Sequence, residues 1–137
     1  MYLLDTNVVS ELRKADRVHQ RVAAWAAGVD IGDMYLSVVS ILEIRLGLLS
    51  VRRKDETRAN VLETWLERQV LPAFAERILP ADLPVAQRCA ALRIPDPRSG
   101  RDALIAATAL VHGLTVVTRN VGDFQVTGVP LLDPWRE

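Results

Sequence analysis

Short apolar runs, each too brief to make a helix of its own, alternate along this chain with longer segments whose apolar residues recur at helical spacing. That alternation leaves few folds open. Tyr2 to Leu4, Met34 to Leu36, Arg77 to Leu79 and Leu114 to Thr118 read as strands, with Val129 to Leu132 as a fifth. A helix follows Leu4, with Thr6 or Asn7 suited to cap it. Others are predicted from about Asp16 to Ala27, stopped by Gly28, from an N-cap at Ser37 to about Leu49, and from about Asp55 to Leu71, ended by Pro72. Leu83 to Leu92 and about Arg101 to His112 complete the set, separated by a loop from Ile94 to Gly100. Strands and helices in alternation imply an α/β fold, a mainly parallel central sheet flanked by helices on both faces. No linker-like or repetitive tract divides residues 1–137, so a single domain is expected.

Against this apolar framework four acids stand out. Asp5 closes the first strand, Glu43 lies within Val38-Val39-Ser40-Ile41-Leu42-Glu43-Ile44, Asp102 opens Ala103-Leu104-Ile105-Ala106-Ala107, and Asp123 follows the Leu114 to Thr118 strand. Each has an ordinary reading. Asp5 suits a helix cap, Glu43 could close a capping box with Ser40, Asp102 suits the first turn of a helix, and Asp123 suits a turn. Together those readings require four unrelated coincidences at the ends of one sheet, whose strand carboxyl ends are where such folds bind ligands. With the third helix starting at Ser37, Ser40, Glu43 and Gly47 share one polar face. Carboxylates gathered in one place are costly without a cation, which makes the four acids a candidate metal and catalytic site.

The remaining chemistry is excluded by what the chain lacks. One cysteine, Cys89, and two histidines, His19 and His112, are too few for a closed zinc site, so a metal here would be held by oxygen, as Mg²⁺ or Mn²⁺ is. Such an ion can activate water and neutralise phosphoryl charge, which points to phosphodiester hydrolysis. Isolated glycines give no phosphate-binding loop, and neither histidine is placed for a nucleophilic triad. The 17 basic and 17 acidic residues cancel. Outside the four acids, however, 17 basic face 13 acidic residues, so a metal-loaded form approaches a polyanion more readily than a metal-free one. Arg13, Lys14, Arg17 and Arg21, and the cluster Arg52-Arg53-Lys54, are candidate phosphate contacts. No apolar run is long enough to cross a bilayer, and a cytoplasmic location is expected.

The run Leu4-Asp5-Thr6-Asn7-Val8-Val9-Ser10-Glu11, Glu43 with Ser40 before it, Asp102-Ala-Leu-Ile-Ala-Ala-Thr-Ala109 and Thr118-Arg119-Asn120-Val-Gly-Asp123-Phe124 resemble, in order, the PIN domain. They look most like VapC toxins of the FitB-like group. The resemblance implies a PIN-like three-layer α/β fold and an endoribonuclease dependent on Mg²⁺ or Mn²⁺. It also implies a homodimer assembled further with a cognate antitoxin protein. On that resemblance Asp5 and Asp102 are expected to bind metal, Glu43 and Asp123 to complete the catalytic acids, and Asn7, Ser40, Thr118 and Asn120 to support them. A receiver domain would need a lysine near the late strand, where this chain has only Lys14 and Lys54. A haloacid dehalogenase would need Asp where Asn7 stands. A catalytically silent PIN fold that binds RNA or protein is the remaining alternative.

Overall fold

The computed structural model describes residues 1–92 and 100–136. Five strands, β1 (Tyr2–Leu4), β2 (Met34–Ser37), β3 (Ile78–Leu79), β4 (Thr115–Val117) and β5 (Leu131–Leu132), form one sheet in the order β3-β2-β1-β4-β5, and every pairing is parallel. The chain first builds outward from β1 to β3, then returns to lay β4 and β5 on the other side. β1 and β4 are thus the neighbours at which the winding reverses, and a parallel sheet opens a ligand crevice at such a point.

Alternation along the strands divides the core in two. Leu4 and Val117 point to a cluster with Val8, Val9, Leu36, Ile44, Leu66, Val70 and Phe74, whereas Leu3 and Val116 point to one with Val39, Ile105, Ala106, Ala109, Phe124 and Val129. Each fully buried Leu or Val side chain contributes about 1.5–3 kcal/mol relative to exposure. The first cluster is covered by α1 (Thr6–Leu12), α3 (Val38–Arg52) and α4 (Glu56–Trp65), the second largely by α7 (Gly100–His112) and α8 (Val121–Phe124). Two further helices, α2 (Gln20–Ala27) and α6 (Leu83–Ala91), pack against α1 and α7.

Ser37 caps α3 as expected, its Oγ accepting the Val39 N–H at 3.0 Å, and the helix extends past Leu49 to Arg52. α7 ends at Gly113, whose φ of +68° only glycine adopts freely, and Leu114 N–H closes the turn on Ala109 C=O at 2.8 Å.

Several expectations are corrected. Of the residues suited to cap α1, the cap is Asp5 and not Thr6 or Asn7, because Asp5 is the residue still extended while its Oδ1 accepts the Thr6 N–H. The segment expected as a helix from Asp16 splits into a 3-10 turn over Ala15–Arg17 and a helix capped by His19 Nδ1. Pro72 does not end the helix before it. A π-helical turn over Leu66–Val70 widens the backbone ahead of the proline, and a short α5 (Leu71–Ala73) carries it through. The loop expected from Ile94 to Gly100 lies, except for Gly100, outside the described residues.

Candidate metal-binding and nucleic-acid cleft

Asp5 sits one residue beyond β1, and its N–H donates to Val117 C=O at 2.9 Å, so the strand register itself brings it beside Thr118. Its carboxylate accepts three hydrogen bonds and keeps one lone-pair direction open. Oδ1 accepts the Thr6 N–H at 2.8 Å, and Oδ2 accepts the Thr118 hydroxyl at 2.8 Å and the Asn7 amide at 3.3 Å. Thr118 Oγ1 in turn accepts from Asn7 Nδ2 and from the Asn120 N–H. Asp5 is 5% exposed, and burial drives its carboxyl above the usual carboxylate range. The hydrogen bonds from Thr118 and Thr6 oppose that rise, and the charges of Glu43 and Asp123 add to it.

Asp102 reaches the same place from the first turn of α7. The alanines at 103, 106, 107 and 109 are buried there, and such small side chains allow a helix to lie close on the sheet. Its carboxyl is pushed up to about 6, first by desolvation and then by the charges of Asp5, Glu43 and Asp123, with Arg101 acting the other way. Glu43, at mid-helix in α3, accepts the Thr6 hydroxyl at 2.6 Å and faces Arg101 Nε at 3.8 Å. One turn before it, the buried Ser40 hydroxyl has no hydrogen-bond partner among the described residues. Asp123 stands apart, exposed in the first turn of α8 and outside the cleft lining, so what reaches Asp5 and Asp102 is its field.

The cleft has a volume of about 550 Å³. Asp5, Glu43 and Asp102 line it together with Arg13, Lys14, Arg119, Asn120 and Trp135. Among the described residues no three acidic, histidine or cysteine side chains are gathered tightly enough to hold an ion on their own. The donors are nevertheless hard oxygens with a surplus of negative charge, and raised carboxyls with an unpartnered hydroxyl nearby suit a hydrated divalent cation. Mg²⁺ keeps several waters and needs only one or two carboxylates, so the donor set fits it.

The cationic rim has its own scaffold. Glu11 is 8% exposed, and its carboxylate takes Lys14 Nζ and the His19 N–H, both at 2.9 Å. These bonds hold its carboxyl below the usual range and fix the turn in which Ala15 adopts a φ of +56°. His19 and His112 are both exposed and stay outside the cleft lining. In the sequence Thr6 reads only as a cap, and Glu11, Arg101, Arg119 and Trp135 do not stand out as parts of the site. The i,i+3 spacing of Glu11 and Lys14 was the one available signal, and nothing local ties Arg119 to Trp135.

Comparison with known proteins gives a consistent result. The PIN domain profile matches residues 2–128. Toxin FitB of Neisseria gonorrhoeae is 42% identical over the full length of both chains, and VapC ribonuclease Y4jK of Sinorhizobium fredii is 39% identical over 98% of each. The crystal structure of FitAcB from Neisseria gonorrhoeae superposes with a TM-score of 0.88, at 40% identity and covering all of both chains.

Proposed function

Since this chain belongs to the PIN-domain family, we propose that it is a divalent-metal-dependent endoribonuclease acting as the toxin of a toxin–antitoxin pair. The observation that carries this reading is that Asp5, Asp102 and Glu43, from three separate elements, line one cleft at the β1–β4 reversal. Asp5 and Asp102 would hold Mg²⁺ or Mn²⁺, which when bound would supply an acidified water and a counter-charge for the phosphoryl oxygens. The chain's own residues do the positioning. Thr118 and Asn7 fix the Asp5 carboxylate, Thr6 fixes Glu43, and Glu43 would accept the proton of the attacking water as the phosphorus bond to the ribose oxygen breaks and that oxygen leaves protonated from solvent. Asn120 ties the β4 end to this network, Ser40 supports it from α3, and Asp123 strengthens the negative field. The direct test is metal-supplemented cleavage of RNA by the wild type, with the Asp5→Asn variant as control.

The substrate is single-stranded or looped RNA, guided by Arg13 and Lys14 at the cleft and by Arg17 beyond it. Replacing all three with neutral residues is expected to weaken binding and flatten its salt dependence by a slope of up to about 0.7 for each phosphate left without its cation, with the single-turnover rate at saturating enzyme unchanged. Equal salt slopes for variant and wild type would remove these residues from the RNA path.

A cognate antitoxin restrains the enzyme by inserting an Arg or Lys near Asp5 and Asp102, while its apolar residues cover the groove lined by Leu4, Val9, Leu12, Trp65, Val70 and Phe74. Competition of this kind is reciprocal. Raising Mg²⁺ is expected to weaken antitoxin binding by the factor that antitoxin weakens Mg²⁺, and calorimetric titration at two Mg²⁺ concentrations measures it. Affinity indifferent both to Mg²⁺ and to loss of the basic residue would place inhibition elsewhere. The exposed apolar stripe Val38, Leu42, Leu46 and Leu49 on α3 supports homodimer formation. Among the described residues no helix is long and apolar enough to cross a membrane, in keeping with a cytoplasmic toxin.

A further inference from the structure

Arg119 and Trp135 line the acidic cleft as a unit. The Arg119 guanidinium carbon lies over the Trp135 ring, 5.3 Å from its centroid. Both partners are anchored. The Trp135 ring packs against the core cluster beneath β1 and β4, the Trp135 backbone N–H donates to Asp133 Oδ1 at 2.9 Å, and the following carbonyl, of Arg136, accepts from Arg21. Arg119 is exposed, and its backbone N–H donates to Asn7 Oδ1, the amide that also holds Asp5. The half-buried indole is thus fixed from behind, and a planar cation is held over it at the mouth of the cleft. The carboxylate network uses neither side chain.

We propose that Arg119, seated on Trp135, is a stacking subsite for an unpaired nucleobase beside the phosphodiester to be cut. This deepens the ribonuclease reading and rests on it. A guanidinium plane accepts the face of any base, so the subsite would position single-stranded RNA with little preference for sequence, and duplexed bases would be unable to reach it. Lys in place of Arg119 keeps the charge and loses the plane. Leu in place of Trp135 keeps an apolar contact with the core and removes the ring.

The test is fluorescence anisotropy on the full-length protein in chelator at low salt, which prevents cleavage. The probes are hexamers of adenosine, of uridine, and an abasic ribose-phosphate chain of equal length. Repulsion from the metal-free acids is common to all three and cancels in their ratio. The wild type is expected to bind the base-bearing hexamers at least about tenfold more tightly than the abasic chain, within the range that stacking a base provides. Arg119→Lys should bring that ratio close to one with an unchanged salt slope, and Trp135→Leu should do the same. An Arg119→Lys protein that keeps the ratio would overturn the subsite and leave Arg119 as a phosphate contact, and so would a wild type that shows no ratio or binds none of the probes. Cleavage by the wild type in Mg²⁺ is scored separately. Base preference without cleavage would sink the ribonuclease reading and spare the subsite, and cleavage without base preference would do the reverse.

Discussion

Asp5→Asn is expected to reduce RNA cleavage by at least about a thousandfold, because removing only a partner that supports a metal ligand already costs roughly 10–100-fold. The fold should survive. In the wild type the cost of burying the Asp5 charge among Glu43 and Asp123 outweighs the hydrogen bonds from Thr118 and Thr6, since the net effect on its carboxyl is upward. A neutral amide relieves that cost and keeps an oxygen to accept the Thr6 N–H. Its NH₂ group meets Thr118 Oγ1, which already accepts from Asn7 and Asn120. Two hydrogen bonds are lost there, those that the Thr118 hydroxyl and the Asn7 amide donate to Oδ2, each worth about 1 kcal/mol. The two effects oppose each other, so the melting temperature should stay near that of the wild type while activity is lost. A variant that melts with the wild type and still cuts RNA at its rate would show that Asp5 is only the cap of α1.

Much of this site was legible because its acids interrupt apolar runs, and an interruption is visible without a structure. Asp5 and Thr118 follow consecutive apolar residues of strands that turn out to be adjacent, so strand ends and site coincide. The sequence leaves the cap of α1 open for a local reason. Asp5, Thr6 and Asn7 are three consecutive residues that all favour capping, and only the backbone angles separate them. Pro72 reads as a stop because the cost of a proline assumes an unaltered α-helix, and the π turn at Leu66–Val70 removes that assumption. Arg119 and Trp135 were invisible for a different reason. Their meeting depends on the β4–β5 pairing of Val117 with Leu132, a tertiary register that no spacing along the chain encodes. Asp123 is a different case. Its place after β4 in the sequence suits a member of the site, and although the first turn of α8 leaves it exposed to solvent, its charge still raises Asp5 and Asp102.

Removing the metal should abolish cleavage, and it should also reshape the pH dependence of stability in a way that can be read without any substrate. Asp102 holds its proton up to about pH 6 in the folded chain, against 3.8 for an ordinary aspartate, and Asp5 is shifted in the same direction. Between those values the folded state binds more protons than the unfolded state, so stability falls as pH rises from about 4 to 6 and stays low above that. Glu11 works in the opposite sense. Its lowered carboxyl contributes stability that is present above its unfolded value of 4.5 and is lost as pH falls through the lower folded one. Metal-free protein should therefore melt at a higher temperature near pH 5 than near pH 8. On the proposed reading Mg²⁺ would bind the ionised carboxylates, so it should compete with protons and stabilise most where Asp102 is fully charged. At a hundredfold excess over its dissociation constant the gain approaches about 2.7 kcal/mol. Thermal melts at pH 5 and pH 8, with chelator and with Mg²⁺, measure both effects. The metal should raise the melting temperature far more at pH 8 and remove the fall between the two. An equal Mg²⁺ effect at both pH values would mean that the ion binds away from these carboxylates, and full-rate cleavage in excess chelator would mean that the chemistry does not use it.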